Sequence, residues 1–393
     1  MIPRPVHLSR LETALARSPV TALLGPRQCG KTTLARQIAE QHGADYYDLE
    51  SMQDSQRLRN PERALEQAED LVVIDEIQRL PHLFEVLRVV VDRSNGGARF
   101  LILGSAAPNL VREVSETLAG RVEFVDLTGF DLAEVGQKKG YDLWVRGGFP
   151  RSFLAASNDD SFAWREGFVR TFLERDIPEL GLSVPPTAMR RFWTMLAHCH
   201  GQVWNASRIG RSMGLSDKTV RRYLDLLTGT YMVRQLDPWF ENLRKRQVKS
   251  PKIYLRDSGV LHHLLALPDY HGLIGHPAVG ASWEGFALEQ LLQVLRPAPS
   301  YFWSTHQGAE LDLLVVWRGK RFGFELKFAE APKTTKSMRI AIEDLALQHL
   351  WIVHPGRHAY EVDEHMSVLP VEAVPQLSAE LEARSGLGSD RSG

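Results

Sequence analysis

The sequence predicts an α/β protein of 393 residues, with a parallel-sheet domain first, a helical and winged-helix middle, and a second, smaller α/β domain last. Three observations carry this expectation. Short apolar runs at Val20–Leu24, Leu71–Ile74 and Phe100–Leu103 have the length and content of buried parallel strands and are separated by helical stretches. A helix, glycine turn, helix pattern spans Asn205 to Leu227, and Tyr231–Leu236 supplies a strand after it. From Trp283 onward the predicted order is α-β-β-β-α-β.

Composition bounds the classes. A hydrophobic fraction of 44% with 24% charged residues belongs to a folded chain that can bury enough apolar surface to offset its conformational entropy. The two cysteines, Cys29 and Cys199, lack metal spacing and are too few for a disulfide framework, which points to a reducing, cytoplasmic setting. No apolar run approaches the ~20 residues that span a bilayer, so no membrane role is expected. A net charge of -1 excludes a globally basic coat for nucleic acid. The length suggests several modules, placed at 1–140, 141–260 and 261–376, with a polar, glycine-rich tail at 377–393 expected to be disordered.

The first strand runs into Gly25-Pro26-Arg27-Gln28-Cys29-Gly30-Lys31-Thr32 and then into the helical pattern from Thr33 to Ala39. Glycines there let backbone N–H groups turn inward around phosphate oxygens, while the following helix adds its positive end. In that arrangement Lys31 reaches the β/γ-phosphates and the Thr32 hydroxyl ligates Mg²⁺. The second strand delivers Asp75 and Glu76 at its C-terminal end, where ligands bind in open parallel sheets. Asp75 is the candidate for the Mg²⁺ shell, and Glu76 for orienting an attacking water. The third strand ends at Ser105, a candidate γ-phosphate sensor, and Arg121 is a candidate finger toward a neighbour's nucleotide.

The strings GPRQCGKTTLARQIA, LVVIDEIQ, FLILGSAA, LAGR and the later GGFP resemble the N-terminal half of a widespread group of prokaryotic AAA-type ATPases. The resemblance covers nearly the whole chain and implies a P-loop (AAA-like) core that uses ATP and Mg²⁺. It implies no substrate, because the C-terminal half of such proteins is a domain of unassigned function. Ser105 stands where Asn or Thr is more usual.

In the middle segment, Gly147-Gly148-Phe149-Pro150 punctuates the chain, Ser161–Asp176 is expected to be helical, and Val184-Pro185-Pro186 breaks the pattern. Ser216 is positioned to cap the second helix of the turn motif. Val220, Leu224 and Leu227 share one face and leave Lys218, Arg221 and Arg222 outside. Residues 200–260 hold twelve Lys/Arg against five Asp/Glu, the run Arg244, Lys245 and Arg246 among them. Such a local excess suits phosphate backbones, while a solvated face or a protein-docking winged helix is the alternative. His198 and His200, flanking Cys199, are expected to be structural.

In the last segment Asp312 falls on the second strand (Glu310–Trp317) and Glu325 on the third (Phe322–Phe328), where the period of two puts Lys327 on the same face. Two carboxylates on paired strands offer hard oxygen ligands to Mg²⁺, and a lysine beside them can stabilise charge on a phosphodiester. Glu284, on the preceding helix, can complete the set. These residues resemble the PD-(D/E)xK restriction-endonuclease-like superfamily, and Glu284, Asp312, Glu325 and Lys327 fall on its four characteristic positions, with Leu311 where proline often stands. The resemblance implies a nuclease-like fold with Glu284, Asp312 and Glu325 as metal ligands. It leaves cleavage open.

Together these residues lead to an ATPase that couples nucleotide state to a DNA-facing winged helix and a Mg²⁺-dependent nuclease-like domain. The alternative is a regulatory ATPase acting on a protein partner of a defence or toxin system, with the last domain as a non-cleaving scaffold. Self-assembly is an open expectation, since AAA-like cores often form rings.

Overall fold

A computed structural model describes residues 2–385, apart from 69, 94–96, 106–107, 181–183 and 241–248 and the side chains of 105, 108 and 109. Its first sheet holds five strands, β1 (Val20–Gly25), β2 (Asp45–Asp48), β3 (Leu71–Asp75), β4 (Arg99–Ser105) and β5 (Val122–Asp126), in the order β2-β3-β4-β1-β5. Every pairing is parallel, so all five C-terminal ends emerge on one side. The buried runs in β1, β3 and β4 arise because helices cover both faces of the sheet. One face packs a core of its own, with Phe84, Leu87, Phe100 and Ile102 among its members.

The other face belongs to a core that continues through the rest of the molecule. Trp144 shows how: its ring lies 5.3 Å from that of Trp283 and 5.3 Å from that of Phe328, and its indole N–H donates to Ser282 Oγ at 2.9 Å. Packed side chains therefore cross the boundary expected near residue 260, and the rings of Phe130 and Phe153, 5.8 Å apart, cross the one expected near 140. One core thus joins all three segments, while the first and last sheets each keep a second core on their other face.

The middle segment carries a three-stranded antiparallel sheet of β6 (Gln202–Val203), β7 (Val233–Leu236) and β8 (Lys252–Leu255), with β8 in the centre. Helices Ala206–Met213 and Asp217–Gly229 precede β7, joined at Gly214 in a left-handed conformation, and Ser216 caps the second through the Thr219 amide. The helix expected over Ser161–Asp176 runs from Asn158 to Thr171 and then widens into a π-turn over Phe172–Asp176.

The last sheet has six strands, β9 (Ser300–Ser304), β10 (Glu310–Trp317), β11 (Lys320–Leu326), β12 (His349–His354), β13 (Tyr360–Asp363) and β14 (Met366–Pro370), in the order β13-β14-β12-β11-β10-β9. Helices Val279–Val294 and Lys336–Asp344 complete the expected α-β-β-β-α-β order, and β13 and β14 extend it. Strand β11 stops at Leu326, so Lys327 lies just past its end rather than within it. The tail expected to be disordered begins instead with a helix, Leu377–Arg384, because Leu377 and Leu381 have apolar surface to bury against the core.

Glu289 pins the middle sheet to helix Val279–Val294. It accepts from Arg234 Nη2 at 2.9 Å and from Arg256 Nε at 3.4 Å. Burial alone would raise its carboxyl, but the two guanidinium groups outweigh burial and hold it down at about 2. Glu289→Ala leaves two half-buried arginines without their anion and is expected to cost about 3 kcal/mol in urea unfolding at neutral pH. Because the folded-state value is depressed, the carboxylate's contribution is present above the unfolded value of roughly 4.3 and fades as pH falls toward about 2. The gap between wild type and variant should close over that window.

Candidate functional site

The loop between β1 and the helix Lys31–His42 makes a cradle of backbone. Gly30 sits at φ 102° and Gln28 at φ 63°, turns that point successive amides to one side. Gly25 admits no substitute, since a Cβ there would stand 2.1 Å from the Leu127 carbonyl oxygen. Cys29 is fully buried and aims its sulfur at that same carbonyl, 3.7 Å away, so this residue contributes backbone rather than side chain. Lys31 arches over the loop with Nζ 3.0 Å from the Gly25 oxygen and 2.9 Å from the Pro26 oxygen. Thr32 and Thr33 follow at the helix N-terminus, lining the cleft.

Asp75 and Glu76 end β3 beside this loop. The Tyr46 hydroxyl donates to Asp75 Oδ2 at 2.7 Å, and the Glu76 amide donates to Oδ1 at 2.9 Å, which orients the carboxylate. Glu76 turns into a left-handed conformation at φ 57° and accepts from Gln78. Burial raises the Glu76 carboxyl above its ordinary range, Lys31 opposes that, and Asp75 adds to it. Ser105 is in register with Gly25 across β4 and β1, so its backbone lies at the same end of the sheet.

Arg121 does not join this cleft. Its carbonyl accepts from the Val20 amide at the opposite end of the strands, roughly 16 Å away by strand rise, and its guanidinium binds Asp92 through two bonds of 2.6 and 2.9 Å. A finger toward a neighbouring copy would first have to leave Asp92.

The far wall of the cleft comes from beyond residue 145. Gly148 donates to Asp257 Oδ2 at 2.8 Å, and its carbonyl accepts from the Phe130 amide at 2.6 Å. This docking carries Pro150 and Arg151 to the cleft mouth, which accounts structurally for the GGFP string. The π-turn then swings Asp176 onto Arg27, and Glu179 binds the same guanidinium. The open cleft, about 580 Å³, is lined by the loop from Arg27 to Thr33, by Glu50 and Glu76, and by Arg151, Thr171, Arg175 and Asp176 opposite. A cleft of this size, with a backbone anion cradle, a buried lysine and the Thr32 hydroxyl on its lining, and with the buried Asp75 carboxylate next to Glu76, fits a Mg²⁺-bound nucleotide. Arg4, Tyr46, Gln78, Asp176 and Glu179 escaped the sequence reading, for none is marked by spacing from the loop. Arg4 donates to the Cys29 carbonyl at 3.0 Å and pairs with Glu134 at 2.6 Å, which anchors the loop from below.

A second cluster lies on the last sheet. The antiparallel register of β10 and β11 pairs Leu313 with Phe324, which sets Asp312 beside Glu325 one step further. The Leu326 amide donates to Asp312 Oδ2 at 2.9 Å. Lys327 Nζ lies 2.6 Å from Glu325 Oε1 and 4.0 Å from Asp312 Oδ2. Glu284, from the helix, accepts from the Tyr254 hydroxyl at 2.5 Å and from Lys252 Nζ at 3.4 Å. Burial, then Asp312, pushes the Glu284 carboxyl up to about 7 and that of Glu325 up to about 8. The four predicted residues thus stand together, with Lys252 and Tyr254 added. Among the described residues, however, only His7, Asp131 and Glu134 bring three potential ligand atoms within 4.8 Å of one another. Glu284, Asp312 and Glu325 stand too far apart for that, and with two lysines among them the set does not fit a divalent ion as it stands.

The basic excess of the middle segment divides in two. Arg234, Lys252 and Arg256 are engaged with Glu289, Glu284 and Asp312. Arg208, Arg211, Lys218, Arg221 and Arg222 are exposed, and among the described residues no carboxylate pairs with them. The run Arg244, Lys245, Arg246 lies outside the described residues. His200 is buried and structural, its Nδ1 accepting from the Leu255 amide at 3.0 Å.

A parallel sheet with this loop, this acidic pair and this cleft defines a AAA-type P-loop ATPase domain, and residues 17–136 match the family described as an AAA domain. Residues 137–271 and 279–374 match two families described only as domains of unknown function. As a whole the chain belongs to the family of two uncharacterized mycobacterial proteins, Rv2008c of Mycobacterium tuberculosis and Mb2031c of Mycobacterium bovis. It is 50% identical to each over 374 residues, 95% of this chain and 85% of the relative. Among solved structures, the Walker-type ATPase of Pyrococcus abyssi shares the fold, with a TM-score of 0.51 and 16% identity over 67% of this chain and 96% of that one. No described helix is long and apolar enough to cross a membrane.

Proposed function

We propose that the chain is an ATP-hydrolysing switch whose nucleotide state governs how the middle segment meets DNA. One observation carries this reading: Arg27, inside the phosphate-binding loop, is bound by Asp176 and Glu179 of the following segment. A nucleotide entering the loop brings phosphate oxygens that compete for that guanidinium, so occupancy and the position of the π-turn are coupled. In this reading the amides from Gly25 to Thr33 and Lys31 Nζ hold the phosphates, while Thr32 and Asp75 hold Mg²⁺. Glu76 orients the attacking water, and Ser105 senses the γ-phosphate. A Mg²⁺ ion held by Thr32 and Asp75 would supply positive charge against the phosphate oxygens.

The helix Asp217–Gly229 with the three-stranded sheet constitutes a winged helix in this reading, and its outer face of Lys218, Arg221 and Arg222 meets the phosphate backbone. Neutralising all three residues should weaken binding of duplex DNA, measured by fluorescence anisotropy across a salt series, and reduce the salt slope by about 3. An unchanged slope would show that this face does not touch phosphate and would favour a protein partner. In this reading the last domain, whose α-β-β-β-α-β order and whose Glu284, Asp312, Glu325 and Lys327 support a nuclease-like fold, serves as a recognition scaffold. Plasmid nicking with Mg²⁺ or Mn²⁺ that disappears in both Asp312→Ala and Lys327→Ala would replace that part of the reading with strand cleavage.

A further inference from the structure

We propose that Lys252 is a built-in cation of the carboxylate centre, standing where a divalent ion would bridge Glu284 and Asp312. The inference rests on the nuclease-like reading of the last domain and goes beyond it, because the lysine comes from outside that domain. Lys252 lies on β8, the central strand of the middle sheet, whose ladder to Gln202, Val203 and Leu236 fixes its place. Alternation along β8 puts Lys252 and Tyr254 on the same face, and both reach Glu284.

The ammonium is 3.4 Å from Glu284 Oε1 and 3.6 Å from Asp312 Oδ1, and its side chain is only 8% exposed. A Mg²⁺ or Mn²⁺ ion joining those two carboxylates needs oxygens at roughly 2.0–2.2 Å. The space between them is the space the ammonium holds, and two cations do not share it. Lys327 meets Glu325 on the opposite side of Asp312. Asp312, Glu325 and the partly exposed Glu284 thereby meet two ammonium groups and the Tyr254 hydroxyl, which supplies a hydrogen bond but no charge, and Glu325 Oε2 is left without a hydrogen-bond partner. Docking of β8 against the last domain and binding of a divalent ion at this centre are mutually exclusive.

Mn²⁺ binding to the full, nucleotide-free chain, followed by electron paramagnetic resonance of the free ion, tests this without reference to activity. Wild type and Asp312→Asn should bind Mn²⁺ alike, since the centre takes none. Lys252→Met, with its fold verified by circular dichroism, should gain a site roughly 100-fold tighter than any weak background. That site should vanish in Lys252→Met combined with Asp312→Asn, whereas Lys252→Arg should gain nothing. A wild-type Mn²⁺ site that Asp312→Asn removes overturns the proposal while leaving the nuclease-like reading intact, and this arm decides the matter even if Lys252→Met unfolds. A folded Lys252→Met that gains no site overturns the proposal together with the reading beneath it.

Discussion

Lys31→Ala is expected to lower affinity for Mg-ATP and Mg-ADP by about 100-fold or more in calorimetry, with little change in thermal stability. The ammonium is buried and held over the loop by the Gly25 and Pro26 carbonyls, so it is pre-oriented at the mouth of the cradle. Removing a buried charge that pairs with an anionic ligand costs about 2–5 kcal/mol, and each 1.4 kcal/mol is about tenfold in affinity. The amides of the loop remain, which is why residual weak binding is compatible with the assignment. Undiminished affinity would mean that phosphates do not lie along Gly25 to Thr32, and the switch reading would go with it.

Glu76→Gln should leave nucleotide affinity within about twofold and slow phosphate release by about 10²–10⁴-fold, the range a positioned general base contributes. The amide is isosteric, and the left-handed turn that aims residue 76 belongs to the backbone, so geometry is retained while the acceptor charge is lost. Burial raises the wild-type carboxyl, with Asp75 adding to it against Lys31, so the carboxylate form is lost at a higher pH than for an ordinary glutamate. Turnover of the wild type should therefore fall on the acid side beginning above the usual glutamate range. The glutamine variant should show no such limb. Normal phosphate release by Glu76→Gln would reassign the water-orienting role to another group.

How much of this was legible in the residues depended on distance along the chain. Gly25 to Thr32 announces itself because the strand, the turn and the helix that build an anion cradle are consecutive, and local backbone geometry needs no distant partner. Asp75 and Glu76 are legible for the same reason, as the end of one apolar strand. On the last sheet, closeness along the chain kept Lys327, just past the end of β11, within reach of Glu325, and pairing of β10 with β11 brought Asp312 to them.

The sequence by itself thus determined the parallel-sheet domain, its loop, its acidic pair and the α-β-β-β-α-β order of the last domain, since each follows from spacing within a short window. Tertiary structure alone decided that Arg27 is bound by Asp176 and Glu179, that Arg121 lies at the far end of the sheet on Asp92, and that Lys252 reaches Glu284 and Asp312. These partners stand between 29 and 152 positions apart. Lone charges at such separations carry no periodicity, and an arginine free to find phosphate looks the same in sequence as one already held by a carboxylate. Only packing around a shared core, which brings distant strands within a few ångströms, sets which charge meets which.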